Sequence, residues 1–147
     1  MQKDVIEVSI KGIVPTSNGS ALFLGTAEKV ITIYIDSAMG KILQMYLNAE
    51  RKERPLTHDL IGHIFQGFHI LLDRVVINHA HEGTFYARII LRMQNELGTK
   101  LVELDARPTD AIALALQSQK PIYIARSVLD GLEDMAEVLH KIFKQPE

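Results

Sequence analysis

KLVELDARPTDAIALALQSQKPIYIA, Lys100–Ala125, decides how this chain folds. Lys100 to Asp105 reads as a strand that delivers the dipeptide Arg107-Pro108. Ala111 to Leu116 (AIALAL) then starts a helix that is apolar on nearly every side, with small residues interspersed. That pattern predicts a closely packed central helix. PIYIA returns as a short strand, its proline at the tolerated first position. The junction between the first strand and the helix is itself informative. Proline fits the first helical position because its missing N–H is not needed there. An aspartate in the first turn is favoured by the helix field.

A second junction of the same kind precedes it. RPLTHD, Arg54–Asp59, also leads into an apolar, helix-like stretch, in which Leu60, Ile61, Ile64, Phe65 and Phe68 trace a buried side. Here Thr57 is the expected cap, with His58 and Asp59 following. The extra Leu56 means that the two junctions need not superimpose.

Outward from these stretches, Val5–Val14 alternates and is rich in β-branched residues, so it reads as a strand. PTSNG is a turn, ALFLG a short strand, and Val30–Ile35 another, which together predict an antiparallel meander. Asp36 or Ser37 caps a helix reaching about Asn48, and the ERKE cluster that follows reads as a solvated link. RVVIN and TFYARIILRM are strands around an HAHEG turn, and NELGT is the next turn. Ser127 is read as the cap of one last helix, with Val128, Leu132, Met135, Leu139 and Ile142 as its stripe. The total is about seven strands and four helices. Strands come in blocks rather than strict alternation with helices, so the expected class is α+β: a single domain, residues 1–147 with its core near 5–143, with antiparallel or mixed sheet blocks.

The 147 residues are 47% hydrophobic and 23% charged, with a formal net charge of -2. That is ordinary globular composition. It lacks the basic excess of an extended nonspecific nucleic-acid platform. The absence of cysteine excludes disulfides, a cysteine nucleophile and thiolate metal sites. The first residues do not read as a signal peptide, and no apolar run is long enough to cross a bilayer. The expectation is a soluble, cytoplasmic protein with no membrane association.

The chemistry-bearing candidates gather at the two junctions. Arg54 and Arg107 sit at the unfavourable end of a helix dipole, so each calls for a carboxylate or a phosphate nearby. Asp59 is the available partner for Arg54, and Asp105 or Asp110 for Arg107. Equally, both arginines could reach a substrate phosphate beside exposed backbone N–H groups. His58 adjoins Asp59 and is a candidate base or metal ligand. The other five histidines, His63, His69, His79, His81 and His140, lack metal-site spacing and read as ordinary surface or partly buried residues. If the junctions converge, Asp59, Asp105 and Asp110 would hold a divalent cation.

Three stretches carry a resemblance: RPLTHDLIGHIF, HEGTFYARI, and LDARPTDAIALAL with PIYIA. Together they resemble the bifunctional nuclease family of bacteria and plants, over approximately Val5 to Phe143. Thr109 stands where members commonly have serine, which keeps the hydroxyl. The resemblance implies a compact α+β domain, a homodimer or higher oligomer, and nuclease activity on DNA and RNA. Val128 to Phe143 is the expected interface helix. Motif and chemistry together nominate Arg54, His58, Asp59, Asp105, Arg107 and Asp110 as catalytic residues. Asp59, Asp105 and Asp110 would be ligands of Mg2+ or Mn2+, and no organic cofactor is implied. Two other readings compete: a non-enzymatic interaction or regulatory domain, and a small-anion or nucleotide-binding module built on the two helix N-termini.

Overall fold

The computed structural model describes residues 4–144. These form, in order, β1 (Val5–Thr16), β2 (Gly19–Gly25), β3 (Val30–Ile35), α1 (Ser37–Leu47), α2 (Thr57–Gly67), β4 (Ile70–His81), β5 (Thr84–Asn95), β6 (Gly98–Ala106), α3 (Pro108–Ser118), β7 (Ile122–Ala125), α4 (Arg126–Asp130) and α5 (Ala136–Lys144). The strands make one sheet of order β3-β2-β1-β7-β4-β5-β6. Every neighbouring pair is antiparallel except β4 and β7, which run parallel. The protein is therefore α+β with a mixed sheet, and β1-β2-β3 is the meander that the sequence predicts.

β1 serves both halves of the sheet. Val5–Val8 pairs with β7, while Ser9–Thr16 pairs with β2 across a register shift between Ile10 and Gly12. An irregularity of this kind bends a strand and increases its twist. The sheet curls accordingly. The end of β3 and the ends of β5 and β6 line one common cleft, although β3 and β6 are the outermost strands.

The helix read as central is central. Ala111 to Ala115 of α3 are five consecutive buried residues. They pack in one cluster with Leu22, Leu24 and Ile33 of the first meander and with Val75, Ile77 and Ile89 of β4 and β5. Helices α1 and α2 flank α3. Small side chains allow this close approach, and burial of the larger ones contributes about 1.5–3 kcal/mol each.

Three local readings are corrected. The N-cap of α2 is Leu56 rather than Thr57, and the helix makes no side-chain cap bond there; instead Asp59 reaches back to accept the Leu56 N–H at 2.8 Å. The last apolar stripe is two helices, not one. Ala125 rather than Ser127 precedes α4, and the chain breaks after Gly131. Asp134 stops it from continuing as helix, because its Oδ1 accepts N–H bonds from Val30 (3.1 Å) and Ala136 (3.0 Å). α5 then lies on the opposite face of β1 and β2, where a Cβ on Gly12 would meet the Phe143 ring at 2.9 Å. Finally, β4 starts at Ile70 and runs to His81, well beyond the RVVIN strand read from sequence. His69 (φ 56) turns the chain out of α2, and Glu82 (φ 49) with Gly83 (φ 82) closes a two-residue hairpin turn to β5.

Candidate active site at the start of the central helix

β6 hands the chain directly to α3. Arg107 is the N-cap residue, Pro108 opens the first turn, and no side chain caps the helix. The short helix α4 likewise has no side-chain cap, whereas a carboxylate accepts a backbone N–H at the start of α1, α2 and α5. Asp36 accepts the Met39 N–H of α1 at 2.7 Å, Asp59 braces the start of α2, and Asp134 that of α5. The start of α3 borders the common cleft, a space of about 410 Å3. Asp105, Arg107 and Thr109 line it on one side, with Tyr34 and Tyr86 contributed by β3 and β5. An uncapped helix N-terminus presents backbone donors and the positive end of the helix dipole.

The two junctions meet through one hydrogen bond. His58 Nε2 donates to Asp110 Oδ1 at 2.9 Å, linking α2 to α3. Asp110 Oδ2 lies 3.5 Å from Arg107 Nε. A continuous series results: a buried histidine, a partly exposed carboxylate, and a guanidinium that is 75% exposed. Because an ionised carboxylate only accepts, the hydrogen of this bond lies on His58 Nε2. Nδ1 is buried and has no partner. His58 is not among the residues that line the cleft, and its link to them runs through Asp110.

Asp59 is turned elsewhere. Its Oδ1 accepts the Tyr46 hydroxyl at 2.8 Å and the Gln117 amide at 3.3 Å; its Oδ2 accepts the Leu56 N–H and lies 3.5 Å from Lys52 Nζ. Burial alone would raise its pKa. The donors from Leu56, Tyr46 and Gln117, with the Lys52 charge, outweigh burial and hold the carboxyl below its ordinary value. Burial, reinforced by the same carboxylate, pushes the Tyr46 phenol well above its usual range. Lys52 belongs to the cluster read as a solvated link, yet it lies 4.7 Å over the Tyr46 ring and pairs with Asp59 in place of Arg54. Gln117 also donates to the His58 carbonyl at 2.7 Å. It fits because Gly62 has no side chain: a Cβ there would sit 2.7 Å from the Gln117 amide.

The six nominated residues thus separate. Asp105, Arg107 and Asp110 gather at the start of α3, with His58 behind Asp110. Asp59 is committed to a bracing network. Arg54 is exposed and makes no ion pair among the described residues. Asp59, Asp105 and Asp110 do not form a shared cage, and among the described residues no group of three or more His, Asp or Glu is placed to hold a metal ion. Sequence reading missed Tyr46, Lys52 and Gln117, which come from distant positions. It also missed Tyr34 and Tyr86, which strand alternation places on the side away from the core.

The model of the bifunctional nuclease domain family matches residues 22–136. The chain belongs to that family. The match includes both junctions, the cleft and all of α3, but leaves out all of β1, the start of β2 and all but the first residue of α5. Uncharacterized proteins from two strains of Mycobacterium tuberculosis are 32% identical over 102 residues, covering 69% of this chain. The chain spans 58% of the length of those relatives. Membership points to nuclease-related chemistry for this bifunctional nuclease domain. None of its described helices is long and apolar enough to cross a membrane.

Proposed function

We propose that this chain is a nuclease that hydrolyses phosphodiester bonds of DNA and RNA at the start of α3. The observation that carries the reading is the uncapped N-terminus of the central helix, opening on a cleft beside an exposed arginine. A phosphate there accepts hydrogen bonds from the first free backbone N–H groups of α3 and from Arg107, which stabilise charge as it develops on the phosphoryl oxygens. His58 holds Asp110 in one orientation, and Arg107 shares its second oxygen. Asp105, at the exposed end of β6, offers a carboxylate to a water entering the cleft.

The donor set suits a small hard cation only in part. Asp59 is excluded by its four partners. Asp105 is exposed at the cleft and would be the principal ligand; Asp110 is 38% exposed but already pairs with His58 and Arg107, so Mg2+ or Mn2+ would complete its shell mainly with water and substrate oxygens. Such a cation would supply an acidified water and neutralise phosphate charge.

Purified protein is expected to cut single-stranded or duplex nucleic acid with either metal, and chelator should stop it. No cleavage across both metals and both nucleic acids would remove the reading and favour a binding domain. Leu60, Ile64 and Phe68, read from sequence as part of a buried side, are instead exposed one helical turn apart on α2 and its C-cap, and a second copy of the chain is the partner proposed to cover them. Sedimentation as a monomer at micromolar concentration would overturn that part.

A further inference from the structure

The outward face of the β4–β5 hairpin carries a feature that the cleavage chemistry leaves unused. His79 and His81 of β4 and Tyr86 of β5 have nearly parallel rings. His79 and Tyr86 are 5.3 Å apart at 17°, and His79 and His81 are 6.4 Å apart at 8°. His79 is the cross-strand partner of Tyr86. His81, at one end of the row, is 68% exposed, and its nearest charged neighbour is Glu82 at 3.8 Å. Tyr86, at the other end, lines the cleft at the start of α3. The row therefore runs from open surface to the candidate active site.

Two residues beyond Tyr86 on the same strand stands Arg88. It is exposed, and it makes no ion pair among the described residues although its register partner on β6 is Asp105. The other arginines of this face are engaged: Arg74 pairs with Asp73, and Arg92 Nε lies 3.9 Å from the same carboxylate. The face thus offers several flat rings and few free cations. That balance suits one kind of nucleic acid. Stacking needs exposed base faces, which a single strand has and a duplex hides; a duplex would be held mainly through many phosphate contacts.

We propose that His81, His79, Tyr86 and Arg88 form a binding platform for single-stranded nucleic acid, along which bases stack and are led to the cleft. The proposal rests on the nuclease reading for its direction, and it specifies the substrate class as single-stranded. Arg88 and Arg107 are its two phosphate contacts, so affinity should fall only gently with salt, with a log–log slope of about -1.4.

The test is fluorescence anisotropy with a labelled single strand of about 12 nucleotides, and with the same sequence as a duplex, in chelator so that nothing is cut. Wild type should prefer the single strand by about tenfold or more. Tyr86→Ala and His79→Ala should each weaken single-strand binding by about 5- to 50-fold, whereas Tyr86→Phe, which keeps the ring, should bind within about twofold of wild type. Arg88→Gln should flatten the salt slope by about 0.7. Circular dichroism melting of each variant separates lost binding from lost folding, and Arg88→Gln together with the wild-type preference for single strand over duplex carries the test if an Ala variant does not fold. Equal affinity for both forms, no binding at all, or equal single-strand affinity of folded Tyr86→Ala and wild type would overturn the platform. Equal affinities with metal-dependent cleavage intact would remove the platform and leave the nuclease. The expected binding pattern without any cleavage would keep the platform and remove the nuclease.

Discussion

Arg107→Lys and Asp110→Asn are each expected to slow phosphodiester cleavage by about 100-fold or more while leaving the fold standing. The Arg107 side chain is 75% exposed and its one ion pair among the described residues is with Asp110, so little packing depends on it. Lysine keeps the positive charge but cannot present two parallel donors to a phosphate. Removal of one preorganised donor to a developing oxyanion costs about 10²–10³ in rate. Asparagine at 110 keeps the side-chain size and can still accept from His58, but loses the charge. Arg107→Lys should unfold within about 0.5 kcal/mol of wild type in denaturant, as surface changes usually do, and Asp110→Asn within about 2 kcal/mol, because it loses the charge that faces His58 and the helix start. Trace contaminating nuclease imitates weak activity, so all variants must be purified identically. Equal cleavage rates for wild type, Arg107→Lys and Asp110→Asn would mean that the start of α3 is not the active site.

Asp59→Ala has the largest expected effect on stability. The carboxylate is the common acceptor for Tyr46, Gln117 and Leu56, and it faces Lys52. Its removal strands a partly buried phenol, a backbone N–H and an ammonium that is only 20% exposed. Each stranded buried donor costs about 1–3 kcal/mol, and water entering the gap recovers some of that. A total loss of about 3–4 kcal/mol follows, read as a lower urea midpoint at neutral pH. The pH dependence has a definite sign. The folded-state pKa of Asp59 is lowered, so the unfolded chain takes up the proton first as pH falls. The stabilisation is complete above the ordinary carboxylate value of about 4 and is lost as pH drops through the lower folded value. The stability gap between wild type and Asp59→Asn should therefore be constant from neutral pH down to about 5 and narrow below about 4. A gap that widened in acid would contradict the network.

Local signals carried much of this fold. Val30–Ile35 coincides with β3, and proline at 108 opens α3, because each depends only on adjacent residues. The all-round apolar stretch after Arg107 announced a central helix through burial alone. Long-range pairings were not legible. Tyr46 lies 13 residues before Asp59, and Gln117 lies 58 after it. No spacing rule joins those positions, so Asp59 looked like a free carboxylate at a helix start. Asp110 meets His58 across 52 residues, and only the packing of α2 on α3 brings them together. Convergence of the junctions was expected from their matching chemistry. Which carboxylate would face the cleft depended on side-chain direction, and a sequence does not state that.

The position of β7 in the strand order bears on how the chain is made. Synthesis proceeds from the amino terminus, and both β1-β2-β3 and β4-β5-β6 are complete before Ile122 exists. Until then Val5–Val8 and Val75–Ile77 are two apolar edges without their native neighbour. Open edges of that kind invite pairing with the wrong chain. Four residues, Ile122 to Ala125, close both at once, and the Pro121 carbonyl begins the closure by accepting the Val75 N–H at 3.2 Å. The nascent sheet is thus a pair of unjoined halves until its keystone, Ile122 to Ala125, has left the ribosome.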